Sequence, residues 1–182
     1  FDENPVLFLE HRWLHSVLGE VPQINYRTPL GKAKKVREGD SLTIVAMSYM
    51  TVEAIHASDF LTLHGIHCDV IDLRTIRPID WPAIFASVKR TGRLLALDTG
   101  HTTGSVAGEI LAKVSTECWS NLKGAPERIA LPDYPEATSS ALTHSYHPRA
   151  ETIVARVANM LGLKIDVSVL IAQRVCPNDV PG

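Results

Sequence analysis

Short β-rich runs alternate with helix-patterned segments along most of this chain, on short connections. Parallel strands need a long crossover between them, usually a helix, so the alternation predicts a mostly parallel sheet covered by helices on both faces. Residues 42–47, Leu-Thr-Ile-Val-Ala-Met, form an apolar run of the kind buried on both sides. A helix is expected over about 50–64, capped by Ser48 or Thr51 and stopped by Gly65. Residues 68–73 are the next strand. Asp80 then caps a helix in which Ile84, Phe85 and Val88 form the buried stripe, with Gly92 past its end. Residues 93–98 are a third strand and 104–119 a helix with Val106, Ile110, Val114 and Cys118 spaced four apart. A strand at 127–131 follows, and a last helix opens at Pro148 and ends at Gly162. Right-handed crossovers follow from strand twist. The expected class is α/β, an open and mostly parallel sheet of about five strands.

The two ends depart from this pattern. Pro5-Val6-Leu7-Phe8-Leu9-Glu10-His11 reads as one more buried strand, but about twenty residues of weak periodicity follow, punctuated by Gly19, Pro22 and Pro29. Residues 1–29 are therefore read as the end of a preceding domain plus a linker, 30–163 as the main domain and 164–182 as a carboxy-terminal arm. The arm's apolar run Val167-Ser168-Val169-Leu170-Ile171 must dock on its own body or on a neighbour. The first residues lack an initiator Met and a basic region before an apolar stretch, which suggests an internal cut in a longer cytoplasmic chain.

Eighteen basic against 20 acidic residues leave a formal charge of -2, which offers nothing to attract nucleic acid or an anionic membrane. No apolar run reaches the ~20 residues that span a bilayer. Cys68, Cys118 and Cys176 are scattered and odd in number, so they fit reduced cytosolic thiols better than a disulfide framework. His11 with His15, His64 with His67 and His144 with His147 supply no third ligand at a recognised metal spacing.

Chemistry is sparse. Met47-Ser48-Tyr49-Met50-Thr51 follows the first strand where a dinucleotide fingerprint would need glycines. Neither a phosphate loop nor a nucleophile elbow occurs. The segment Asp98-Thr99-Gly100-His101-Thr102-Thr103-Gly104 is a candidate ligand or interface loop, because it leaves a strand's carboxyl end and enters a helix, where N–H groups attract anions. Gly104 and Gly108, four apart, also suit close packing of that helix against sheet or partner. His101 is either a ligand or proton carrier, or simply exposed. In Arg74-Thr75-Ile76-Arg77-Pro78-Ile79-Asp80, Pro78 forces Arg77 out of helical conformation, so an extended bend runs until Asp80 starts the helix. Arg74 is placed to pair with a carboxylate or carbonyl. Arg74, Arg77, Pro78 and Asp80 are read as a structural bend or interface, with substrate binding by an arginine as the rival.

Two segments carry a resemblance: residues 38–45, Glu-Gly-Asp-Ser-Leu-Thr-Ile-Val, and residues 72–80, Asp-Leu-Arg-Thr-Ile-Arg-Pro-Ile-Asp. With Pro5–Arg12, Gly19–Pro22, Gly31–Ala33 and Tyr146–Val154 in order, they resemble the carboxy-terminal domain of transketolase-like enzymes. The branch is that of the β subunits of thiamine-diphosphate-dependent 2-oxoacid dehydrogenases of pyruvate, branched-chain or acetoin type. Ser48-Tyr49, Asp98-Thr99 and Thr103-Gly104 depart from that pattern. The resemblance implies a parent oxidoreductase that decarboxylates a 2-oxoacid and passes the acyl group to a lipoyl acyltransferase. In such enzymes the α subunit holds Mg²⁺ and the diphosphate, and the β subunit's amino-terminal domain supplies the activating Glu. This segment is then an assembly domain, inactive and cofactor-free alone, with a second β subunit, the α subunit and the acyltransferase as partners. The alternatives are another transketolase-like enzyme, such as a deoxyxylulose-phosphate synthase, and a stand-alone ligand-binding or regulatory domain.

Overall fold

The computed structural model describes residues 3–172 apart from Ser16 and His144. Every residue of strand β2 (Leu42–Ala46) is buried, and successive side chains serve opposite layers. Leu42, Ile44 and Ala46 pack with helices α1 (Tyr49–Thr62) and α5 (Ala150–Met160), while Val45 packs with α2 (Trp81–Thr91) and α3 (Val106–Glu117). β3 (Cys68–Asp72) and β4 (Leu94–His101) divide their apolar residues in the same way. Two apolar clusters thus sandwich one sheet, as the doubly buried runs imply.

The sheet order is β1-β3-β2-β4-β5, with β5 at Glu127–Leu131. All pairings are parallel except that of β1 (Lys34–Arg37), which runs antiparallel along the β3 edge. From β2 the chain steps outward to β3 through α1 on one face. It then crosses to β4 and β5 through α2 and α3 on the other. Reversing direction together with face keeps each crossover right-handed. The reversal leaves a switch point at the carboxyl ends of β2 and β4.

Several local expectations hold. Asp80 accepts from the Ala83 N–H at 3.4 Å at the start of α2, and Gly92 closes that helix in the left-handed conformation. Others do not. Residues 5–11 form no strand: Val6, Leu7, Phe8 and Leu9 lie exposed, because no strand among the described residues offers them hydrogen bonds. The fifth strand is instead β1, whose Lys-Lys-Val-Arg sequence carries weak strand propensity and is held by pairing at a sheet edge. β4 runs on to His101, α3 starts at Val106 rather than at Gly104, and α5 starts at Ala150 rather than at Pro148. Ser48 precedes α1 at φ 53° without a side-chain cap. A short α4 (Ser140–Thr143) and α6 (Ser168–Ala172) complete the elements. The arm docks on its own body, since Ile165, Val167 and Leu170 pack against the α1/α5 cluster. Cys176 lies outside the described residues.

The amino end of the sheet is pinned by Asp69, whose side chain has no exposure. Its Oδ1 accepts the Gly39 N–H at 2.9 Å, and its Oδ2 accepts the Ser87 hydroxyl at 2.5 Å and the Arg90 guanidinium. Lys35 Nζ of β1 lies 3.5 Å away. Ser87 and Thr91 both bond to Thr43 of β2 at 2.8 Å. Burial pushes the Asp69 carboxyl up, but these donors and cations outweigh it and hold it below the usual carboxylate range. The Gly39 backbone lies so close to His67 and Cys68 that an added Cβ would collide with their main chain.

A carboxyl with a lowered folded pKa stabilises the fold above its unfolded pKa of about 3.9 and loses that contribution as pH falls through the folded value. Asp69→Asn should cost about 2–3 kcal/mol at neutral pH, less than a fully buried pair because Lys35 and Arg90 stay partly hydrated. Urea melts between neutral pH and pH ~3 check both points. The parent should lose stability on acidification, and the variant should lose correspondingly less.

Candidate functional site

Because four strands point one way, the residues singled out in the sequence gather along one edge of the sheet, after β3 and after β4. Among the described hydrogen bonds and ion pairs, none joins the two groups, and β2 lies between them.

The group after β4 is closed by its own side chains. Asp98 is 4% exposed; Oδ1 accepts the Gly100 N–H at 2.8 Å and Oδ2 the Ala107 N–H at 2.9 Å. Ser105 Oγ accepts the Gly108 N–H at 3.0 Å. An internal carboxylate and hydroxyl therefore occupy the N–H groups at the start of α3 that an anionic ligand would use. His101 Nδ1 donates to the Pro132 carbonyl at 2.7 Å, and both the N–H and the hydroxyl of Thr102 donate to the Leu131 carbonyl. Thr103 donates its N–H and hydroxyl to Asp133, and these two bonds, ahead of the nearby His101 and Arg128, hold the Asp133 carboxyl below its ordinary range. The segment is thereby zipped onto the exit of β5.

Within the chain the two glycines have separate surroundings. Gly104 adopts φ 74° with no described residue within 4 Å of where a Cβ would stand, so it serves the turn. Gly108 lies in α3, where a Cβ would meet Arg128 Nη1 at 2.7 Å. That neighbour is the mobile end of a side chain.

The bend after β3 receives the chain that enters β1. Thr75 Oγ1 accepts the Gly31 N–H at 2.9 Å, and Asp80 Oδ2 accepts the Ala33 N–H at 3.1 Å. Gly31, at φ 71°, sits against Pro78, whose bond to Arg77 is cis. Arg74 takes φ 57° and turns its Nε towards Asp72 Oδ2 at 3.7 Å. Arg77 is exposed.

An aromatic cage beside the switch point went unseen in the sequence. Trp13 lies edge-on to Tyr49 at 4.7 Å and to His147 at 5.3 Å, and the Arg149 guanidinium stands 4.1 Å over its ring. Glu53 of α1 accepts the Ala150 N–H at 2.7 Å and lies 3.7 Å from Arg149. Among the described residues, Trp13 Nε1, Tyr49 Oη and His147 Nδ1 are buried with no hydrogen-bond partner. Burial raises the Tyr49 phenol far above its ordinary range, so it stays protonated. The only signal was an aromatic within an aperiodic stretch; its partners are remote in sequence. Among the described residues, no group of three or more His, Cys, Asp or Glu side chains could hold a metal, and no helix is long and apolar enough to cross a membrane.

These features define a class: an open α/β domain whose switch-point loops are filled by their own side chains. The chain belongs to the family described as transketolase, C-terminal domain, which matches residues 31–153. It is 36% identical over 154 residues to the acetoin:2,6-dichlorophenolindophenol oxidoreductase subunit beta of Cupriavidus necator, covering 85% of this chain and 46% of that protein. The mitochondrial pyruvate dehydrogenase E1 component subunit beta of Pisum sativum is 39% identical over 157 residues, 84% of this chain and 44% of that one. The chain thus spans about half the length of the curated relatives it matches. Among solved structures, a split-gene transketolase described as an inactive β4 tetramer superposes with TM-score 0.67 at 28% identity, over 81% of this chain and 48% of that one.

Gly104→Ala should cost about 1–2 kcal/mol through its left-handed backbone, whereas Gly108→Ala should stay within about 0.5 kcal/mol as Arg128 swings aside. Asp80→Ala loses both a helix cap and the Ala33 contact, about 2 kcal/mol together, while Arg74→Ala should stay within about 1 kcal/mol. Denaturant midpoints of the four variants check this ranking.

Proposed function

We propose that this chain is the carboxy-terminal assembly domain of the β subunit of a thiamine-diphosphate-dependent 2-oxoacid dehydrogenase. In this reading the parent enzyme decarboxylates a 2-oxoacid and passes the acyl group to a lipoyl acyltransferase. The observation that carries it is the match across most of the chain to β subunits of acetoin, pyruvate and 2-oxoisovalerate enzymes. The self-capped start of α3 supports an assembly role over a ligand-binding one, since Asp98 fills the position an anion would take. Residues 1–29 then close the preceding domain and link it, 30–163 form the domain, and 164–182 are its arm. The exposed apolar run Val6 to Leu9 supports a lost neighbour. The unpaired thiols of Cys68, pushed up to about 12 by burial, and of Cys118 suit the cytoplasm.

In this division of labour Mg²⁺ and the diphosphate belong to the α subunit and the activating Glu to the missing half of β. The chain alone should therefore show no saturable heat with thiamine diphosphate and Mg²⁺ in titration calorimetry. Binding at micromolar cofactor would sink the assignment. The reading frame upstream should encode roughly 150 further residues with a pyrimidine-binding domain.

Self-association follows from the same reading. The relative described as a β4 tetramer supports contacts between β chains, and closed two-fold dimers are the commonest soluble oligomers. Light scattering should find a dimer that survives removal of residues 1–9. A monomer at every concentration, or loss of the dimer on trimming, would overturn the retained native contact.

A further inference from the structure

We propose that residues 11–15 form a pH-released clasp, in which neutral His11 holds Trp13 in its cage and protonation of His11 frees the amino-terminal segment from the domain. The geometry begins with the backbone. His11 Nδ1 accepts the Trp13 N–H at 3.3 Å and so caps the 3-10 turn Arg12–Leu14. An acceptor at Nδ1 requires the neutral ring with its proton on Nε2. A proton added at Nδ1 turns that acceptor into a donor facing a donor, and the cap is lost. The ring itself lies 4.5 Å from Tyr49 and 5.8 Å from Trp13, within the same cage.

The charges around the cage act in the same direction. α1 presents Tyr49 and Glu53, and the lead-in to α5 presents His147 and Arg149. The connection from β5 presents Glu136, and the strap, residues 10–15, itself carries Glu10, Arg12 and His15. Glu53 is engaged by Arg149 and by the Ala150 N–H, Glu136 by His147 at 2.8 Å, and Glu10 by His15 at 3.1 Å. A charged His11 would therefore stand with the Arg149 guanidinium around one indole, while Glu53, Glu136 and Glu10 are each already engaged. Burial first and the proximity of His147 second lower the His11 pKa from 6.5. Docking is then complete above about pH 6.5 and weakens as pH falls through the lower docked value.

The clasp is also easy to open. Among the described residues, Trp13 Nε1, Tyr49 Oη and His147 Nδ1 are buried without a partner, and release exposes each of them to solvent. Trp13 and Leu14 pack against the core, while Val6, Leu7, Phe8, Leu9 and Leu18 on either side are exposed. Freeing two side chains is enough to change where the whole apolar segment can reach.

Hydrogen exchange of this chain, corrected for intrinsic rates, tests the clasp between about pH 7.5 and about pH 5.5, the window in which imidazoles titrate. Protection of the amides of residues 12–15 should fall, by up to about tenfold per pH unit, the limit for one proton. The amides of β2 and β4 should not change and serve as the folding control. His11→Asn keeps a capping acceptor that does not titrate, so its strap should stay protected at both pH values. Trp13→Ala should leave the strap unprotected at both. Equal strap protection in the parent at the two pH values, or an equal fall in His11→Asn, would overturn the proposal.

Discussion

A carboxylate without solvent exposure, Asp69, is the contact on which the rest of this architecture depends. Four groups on three pieces of chain meet on its two oxygens: the Gly39 turn, β1 through Lys35, and α2 through Ser87 and Arg90. A buried charge is tolerable only when paired and hydrogen-bonded, so each of those pieces must be in place. Its position at the amino end of β3 thereby sets where α2 lies and holds the antiparallel edge strand. The Thr43, Ser87 and Thr91 hydroxyls extend the network to β2, so the α2 layer is registered by polar contacts as well as by apolar packing.

With the amino end held, the opposite edge is free to carry loops, and these are spent on internal closure. The topology is one that elsewhere places ligands at the switch point. Here Asp98 and Ser105 satisfy the start of α3, Asp133 holds Thr103, and Trp13 fills the space beside Tyr49. Bends that connect to other parts of the chain replace a cradle for phosphate. Such an edge is suited to fixing one segment of protein against another, in keeping with a domain found as one half of longer subunits.

The central strands and the four long helices were legible because their signals are local. Doubly apolar runs, an Asp before a helix and a Gly after one act within a few residues. The candidate site was legible only as a set of places. Arg74, Asp80, Asp98 and Gly104 were found through turn chemistry, yet their partners, Asp72, Ala33, Ala107 and the open turn, follow from the folded loops. The errors share a cause. Val6 to Leu9 has strand propensity without a described strand to pair with, and Lys34–Arg37 has a neighbour without propensity.

The sequence by itself determined the alternation of elements, the two-sided burial of β2, β3 and β4 and both ends of α2, since periodicity and capping are properties of contiguous residues. Only the tertiary structure decided that Asp69 would be the anchor of the amino end, that Asp98 would stand where a ligand's anion could, and that Trp13 would meet His147 and Arg149. Those contacts join residues separated by up to more than a hundred positions, and the fold alone brings them within bonding distance.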